Sequence, residues 1–169
     1  ESLNRPGRNI TGVAALTTEL DPKRLELLGE LVPGKAAFGV LQNPSRPDST
    51  MQIDAIKAAA ASLGRELVFV HAATAGEIEP ALASLVPRAP AAVLVCADPL
   101  FTARRKEVVP LMAKYRWPAI YQWREFAEIG GLSSFGPNLF DSYRQVGLFA
   151  ARILAGEKPA GLPVQQPTR

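Results

Sequence analysis

Short apolar runs and amphipathic stretches take turns along this chain. Ala36 to Leu41, Glu66 to Val70, Ala91 to Cys96, Pro118 to Tyr121 and Leu132 to Phe135 are brief and bounded by turn formers, the signature of buried strands. Between them apolar residues recur every three or four positions, as a helix packed on one face requires. The stripes are Leu25, Leu28 and Leu31/Val32; Ile53, Ile56, Ala60 and Leu63; Ile78, Leu82 and Leu85; Val108, Leu111 and Tyr115; and Leu139, Tyr143, Val146, Ala150 and Ile153. Punctuation agrees with this division. Asp21-Pro22 predicts an N-cap followed by proline at the first helical position. Ser49 with Gln52, and Thr74 with Glu77, predict capping boxes. Thr102 is expected to begin a helix that Pro110 kinks or shortens. Gln122 to Ile129 reads as a helical turn stopped by Gly130-Gly131, and Asn138 as the cap of the last helix.

Strand and helix alternate about five times, which predicts an α/β fold, a three-layer parallel sheet with helices on both faces. Ala91 to Cys96 is the most apolar run and is placed at the centre, flanked by Ala36–Leu41 and Pro118–Tyr121. Right-handed crossovers bring all strand carboxyl ends to one rim, where ligands sit in open α/β sheets. Asn43 to Ser49, Asp98 to Phe101, and the ends at Tyr121-Gln122 and Ser134-Phe135 converge there.

Composition narrows the function classes. With 169 residues, 47% hydrophobic and 21% charged, the chain has enough for one domain with a core. The net charge is +3 and the only basic run, Arg104-Arg105-Lys106, lacks interleaved aromatics, so no nucleic-acid partner is expected. The single cysteine, Cys96, reads as a small buried hydrophobe. The longest apolar stretch, Ala89 to Ala97, is too short to span a bilayer. The chain opens on Glu1, so its natural N-terminus is expected to lie elsewhere.

Motifs for chemistry are sparse. No G-x-G-x-x-G, P-loop or G-x-S-x-G elbow occurs. His71, the only histidine, stands at a strand end and reads as exposed. No catalytic residue, metal or cofactor is expected. The rim offers Asn43, Ser45, Ser49, Asp98, Pro99, Tyr121, Ser133, Ser134 and Phe135 as ligand-binding candidates: hydroxyls, an amide, a carboxylate and aromatic faces. Asp98 is equally a helix cap, Ser49 a cap, and Tyr121 and Phe135 core aromatics. Glu125 is placed on the solvated side of its turn.

The blocks NRPGRNITGV, LDPKRLELLGELVPG, VLQNPSRPDS, ADPLF, PAIYQWREFAEIGGLSSFGPN and RILAGEKPAGLPVQQPT resemble the substrate-binding proteins of ABC transporters, whose relatives include tryptophan-binding proteins. The resemblance covers nearly the whole chain. It implies a type I periplasmic-binding-protein-like lobe: residues 1–15 a hinge and opening segment, 16–136 the ligand-binding lobe, and 137–169 a long helix and return tail. It further implies a periplasmic or lipid-anchored protein that captures a small polar or aromatic, amino-acid-like solute between two lobes and delivers it to an inner-membrane permease. Asn43 to Ser49, Asp98-Pro99 and Ser133 to Phe135 would face the cleft. A second lobe precedes the matching segment in such relatives, so self-association through Phe135, Phe140 and Leu162–Val164 is expected of this chain. The effector domain of a transcriptional regulator shares the architecture and is the alternative. A flavodoxin-like or Rossmann-like enzyme domain is disfavoured by the missing glycine fingerprints.

Overall fold

The computed structural model describes residues 3, 4 and 6–166. Arg5 of the turn-rich opening and residues 167–169 of the tail lie outside the described residues. The chain forms two compact units, Thr17–Gly136 and a second made of residues 1–16 and 137–169.

In the larger unit the described residues form five strands, β1 (Phe38–Gln42), β2 (Leu67–His71), β3 (Ala92–Val95), β4 (Ala119–Tyr121) and β5 (Ser133–Ser134). They make one sheet in the order β2-β1-β3-β4-β5, parallel throughout. Phe38 stands opposite both Leu67 and Ala92, which locks β1 between its neighbours. β3 is buried along its whole length and central, as a run apolar on both faces demands.

Helices α1 (Asp21–Leu31), α2 (Ser49–Ser62), α3 (Ala75–Ala83), α4 (Pro99–Ala103), α5 (Arg105–Tyr115) and α6 (Arg124–Glu128) complete this unit. α1 packs on α2 and across β3 and β4, while α3 packs on β2 and α5. Under α1 and α2, Leu25, Leu28, Phe38, Val40, Ile56, Leu94 and Ile120 form a continuous apolar cluster. Residues alternating with these along β1 and β3 face the other way. There Gly39 leaves room for Leu85: a Cβ on Gly39 would come within 2.8 Å of Leu85 Cδ1 and 3.3 Å of Val93. The sheet therefore has a packed layer on each side.

Several predicted caps fall elsewhere. Leu20 occupies the cap of α1, and Asp21 and Pro22 are its first residues. Asp48 occupies the cap of α2 without a side-chain cap bond, so Ser49 and Gln52 form no box; the Gln52 amide turns inward to Asp21. At α3 the Glu77 carboxylate accepts from the Ala73 N–H, one residue before the cap, at 2.8 Å, and Thr74 makes no side-chain cap bond. Thr102 lies inside α4, which begins at Pro99. The interruption before α5 falls at Arg104 and not at Pro110, which α5 contains.

The smaller unit holds α7 (Leu139–Leu154), capped by Asn138, whose side-chain oxygen accepts from the Asp141 N–H. Val13 and Gln165 form a parallel bridge, and the Thr11 hydroxyl donates to the Leu162 carbonyl at 2.6 Å. Leu162 is buried, which removes it from the expected exposed apolar surface. On α7 the buried residues are Ser142 and Phe149. Tyr143 and Val146, placed on the inward stripe by spacing, are exposed.

Candidate functional site at the strand ends

Parallel strands put their carboxyl ends on one edge, and the residues just beyond β1, β3, β4 and β5 meet there. Asp98 is the organiser. It caps α4, its Oδ1 accepting from the Leu100 N–H at 2.6 Å. Its Oδ2 accepts from Asn43 Nδ2 at 3.2 Å, and Arg46 Nη1 stands 3.7 Å away. Asn43 Oδ1 in turn accepts from the Ser45 N–H, an Asx-type turn that holds the loop after β1. Arg46 makes two hydrogen bonds to Asp48, at 2.8 and 2.9 Å. This pairing holds the Asp48 carboxyl below its ordinary range. One cation and two carboxylates thus share this corner. Pro99 is exposed at the start of α4, and Ser49 is half-buried at the start of α2.

Gln122 links this corner to the next strand ends. It is buried, and its Nε2 donates to the Asp98 carbonyl at 3.0 Å and to the Thr102 hydroxyl. Beyond it the Phe135 N–H donates to the Tyr121 carbonyl at 2.9 Å. Ser133 and Ser134 are half-buried and Phe135 is exposed. Gly136 passes so close to the Gln122 carbonyl that a Cβ would lie 2.1 Å from it.

Tyr121 differs from the rest. Its side chain is buried and stacks on Phe126, ring centroids 4.7 Å apart; burial pushes its phenol above the ordinary value. Of the two readings for Tyr121, the core aromatic is the one realised. Glu125 is half-buried, and its Oε2 has no hydrogen-bond partner among the described residues, contrary to a solvated placement. His71 is exposed, as expected, with Nδ1 3.1 Å from Gln42 Oε1.

Beneath the rim lies a polar cluster that periodicity did not single out. Arg24 is wholly buried. Its guanidinium donates to the Phe135 carbonyl at 2.6 Å, the Thr17 carbonyl at 2.8 Å and Asp21. Asp21 also accepts from Gln52 Nε2 at 2.6 Å and from the Ala97 N–H. Burial pushes the Asp21 carboxyl up and the Arg24 guanidinium down, and the contact between them opposes both shifts. Arg24 Nη2 and Gln52 Oε1 have no partner among the described residues. The only sequence signal was the i, i+3 spacing of two opposite charges on the face that carries Leu25 and Leu28.

The described residues hold no group of three metal-ligating side chains and no helix long and apolar enough to cross a membrane. A groove of about 880 Å³ runs between α3 and α5, lined by Ile78, Pro80, Pro110 and Tyr115 among others. None of the rim candidates lines it.

The family model described as ABC transporter substrate binding protein matches residues 1–169. The chain belongs to this substrate-binding family. It is similar to the tyrosine-binding protein of Clostridioides difficile (strain R20291), 27% identical over 164 residues, covering 97% of this chain and 47% of that protein. Its fold matches an ABC domain of Streptococcus pneumonia in complex with L-Trp, at a TM-score of 0.80 and 24% identity, over 99% of this chain and 57% of that one. A LacI family transcriptional regulator from Bifidobacterium animalis subsp. lactis shares the fold at a TM-score of 0.59 and 16% identity, over 87% of this chain and 58% of that one. The chain spans about half the length of the relatives it matches. With such relatives, the sheet with its two helix layers is a type I periplasmic-binding-protein-like architecture.

Proposed function

We propose that this chain supplies one lobe of the solute-binding component of an ABC uptake transporter. Residues 16–136 form the ligand-holding lobe, with 1–15 as hinge and opening segment and 137–169 as helix and return tail. It takes a small polar or aromatic, amino-acid-like solute against Asn43, Ser45, Ser49, Asp98, Pro99, Ser133, Ser134 and Phe135, with Tyr121 supporting from below. The observation that carries this reading is the family match over the full chain, joined to a rim where polar side chains are already held in place. Amino-acid-like chemistry is favoured because relatives named for tyrosine and L-Trp share the sequence pattern or the fold. A rim of carboxylate, amides and hydroxyls beside one exposed aromatic suits a zwitterion with an apolar side chain. The reading carries no catalysis, places the protein outside the cytoplasmic membrane, periplasmic or lipid-anchored, and makes an inner-membrane permease its partner. A regulator's effector domain has fold likeness alone in its favour.

The test is titration of L-tryptophan and L-tyrosine into the chain, followed by amide chemical shifts. Perturbation confined to Asn43–Ser49, Asp98–Pro99 and Ser133–Phe135 is expected, at roughly millimolar affinity because one lobe desolvates about half of a ligand. Ser134→Ala is expected to weaken binding about fivefold, near 1 kcal/mol, through a lost hydrogen bond. Shifts centred on the groove between α3 and α5, or none with any amino acid, would sink the proposal.

A further inference from the structure

Gln42 ends β1 and is wholly buried, yet its side chain carries an amide whose donor and acceptor ends both need partners. Both find one. Its Nε2 donates to the Asn43 carbonyl at 2.7 Å, and its Oε1 lies 3.1 Å from His71 Nδ1. His71 closes β2 and is the register partner of Gln42. One residue on, the Ala72 N–H donates to the Gln42 carbonyl at 3.1 Å. Backbone and side chains together therefore tie these two strand ends.

The direction of each bond follows from one fixed point. A backbone carbonyl can only accept, so the end of the Gln42 amide that meets Asn43 is its NH2 group. The amide oxygen is then the end turned to His71, and it too can only accept. The proton between them has to sit on Nδ1, which leaves Nε2 as the bare nitrogen of the neutral ring. Beyond Gln42 the line runs on into the rim. Asn43 Nδ2 donates to Asp98 Oδ2 at 3.2 Å, and Asn43 Oδ1 accepts from the Ser45 N–H at 3.0 Å. His71 is the one donor that the described residues bring to Gln42 Oε1.

We propose that His71 is a positioning residue for the binding edge. Its Nδ1–H orients the buried Gln42 amide, which holds Asn43 and with it the start of the loop that carries Ser45 and Ser49. This rests on the reading of the strand-end edge as the solute site. Without the ring, the buried Gln42 oxygen loses its donor, an arrangement that costs more than the bond itself contributes. The amide gains by turning, and turning takes its NH2 group away from the Asn43 carbonyl.

The chain holds one histidine, so its ring nitrogens are read directly. Nitrogen-15 spectra of the neutral ring, recorded in alkaline buffer, are expected to show the proton on Nδ1; a proton on Nε2 overturns the proposal. His71→Leu, which fills the place without a donor, is expected to shift the Asn43 side-chain amide signals and to weaken L-tryptophan binding about threefold. His71→Asn carries an amide near the position of Nδ1 and is expected to restore both. Asn43 signals that stay unmoved in His71→Leu overturn the proposal, as does an unchanged affinity or a loss that His71→Asn leaves unrepaired. If the parent chain binds no amino acid at all, the solute reading fails, while the ring tautomer and the Asn43 signals still decide whether His71 positions this loop.

Discussion

At the scale of single residues, the charged and amide side chains at the rim, Asp98, Asn43 and Arg46, are spoken for before any ligand arrives. Asp98 illustrates this, with Leu100, Asn43 and Arg46 around one carboxylate. The Asp48–Arg46 contact makes a sign-definite prediction. Since the folded-state pKa of Asp48 is depressed by Arg46, its contribution is present above the ordinary carboxylate value and is lost as pH falls through the depressed one. Melting temperatures of the protein and of Asp48→Asn are expected to differ near neutrality and to converge in strong acid; a difference that persists there would contradict it. The buried pair predicts a second asymmetry. Arg24→Met leaves the buried Asp21 carboxyl without its counter-charge, only the Gln52 amide and the Ala97 N–H remaining, and is expected to cost about 3–5 kcal/mol, whereas Asp21→Asn with Arg24→Met costs far less. Denaturant titration reads both, and equal losses would show that the guanidinium matters through its bonds to Phe135 and Thr17 instead. Tyr121→Ala is expected to lower stability by about 3–5 kcal/mol, as removal of a core aromatic does.

At the scale of elements, the strand pattern was legible because a buried parallel sheet writes itself as short apolar runs. Ala91 to Cys96 announced the central strand, and Val93→Asp is expected to unfold the unit by burying an unpaired carboxylate, at a cost of several kcal/mol; a soluble, cooperatively melting variant would refute that placement. Caps were less legible. Ser49–Gln52 has the spacing of a box, yet tertiary demand won: Gln52 is worth more as a partner of buried Asp21 than as a surface cap. The pairing of Asp21, read as a helix cap, with Arg24 was invisible for the same reason, since charge on an amphipathic stripe ordinarily signals solvent and here each charge is answered by the other. Spacing alone placed Tyr143 and Val146 inward on α7, because periodicity finds an apolar face without saying what covers it. Of the candidate site, the loops carrying Asn43, Asp98 and Ser134 were readable from topology. Which side chains within them point outward was not, as Tyr121 shows.

At the scale of the whole chain, strand order in space differs from order in sequence. β1 lies between β2 and β3, so during synthesis it gains one neighbour when His71 has been made and the other only with Val95. In the interval Phe38 to Gln42 offers an open row of backbone donors and acceptors, the kind of edge that recruits a wrong partner. A free chain truncated after His71 should therefore be sticky, drawing its own neighbours, whereas one truncated after Ala97 should be quieter. The vulnerable moment of this protein's life falls when β1 and β2 have left the ribosome and β3 has not.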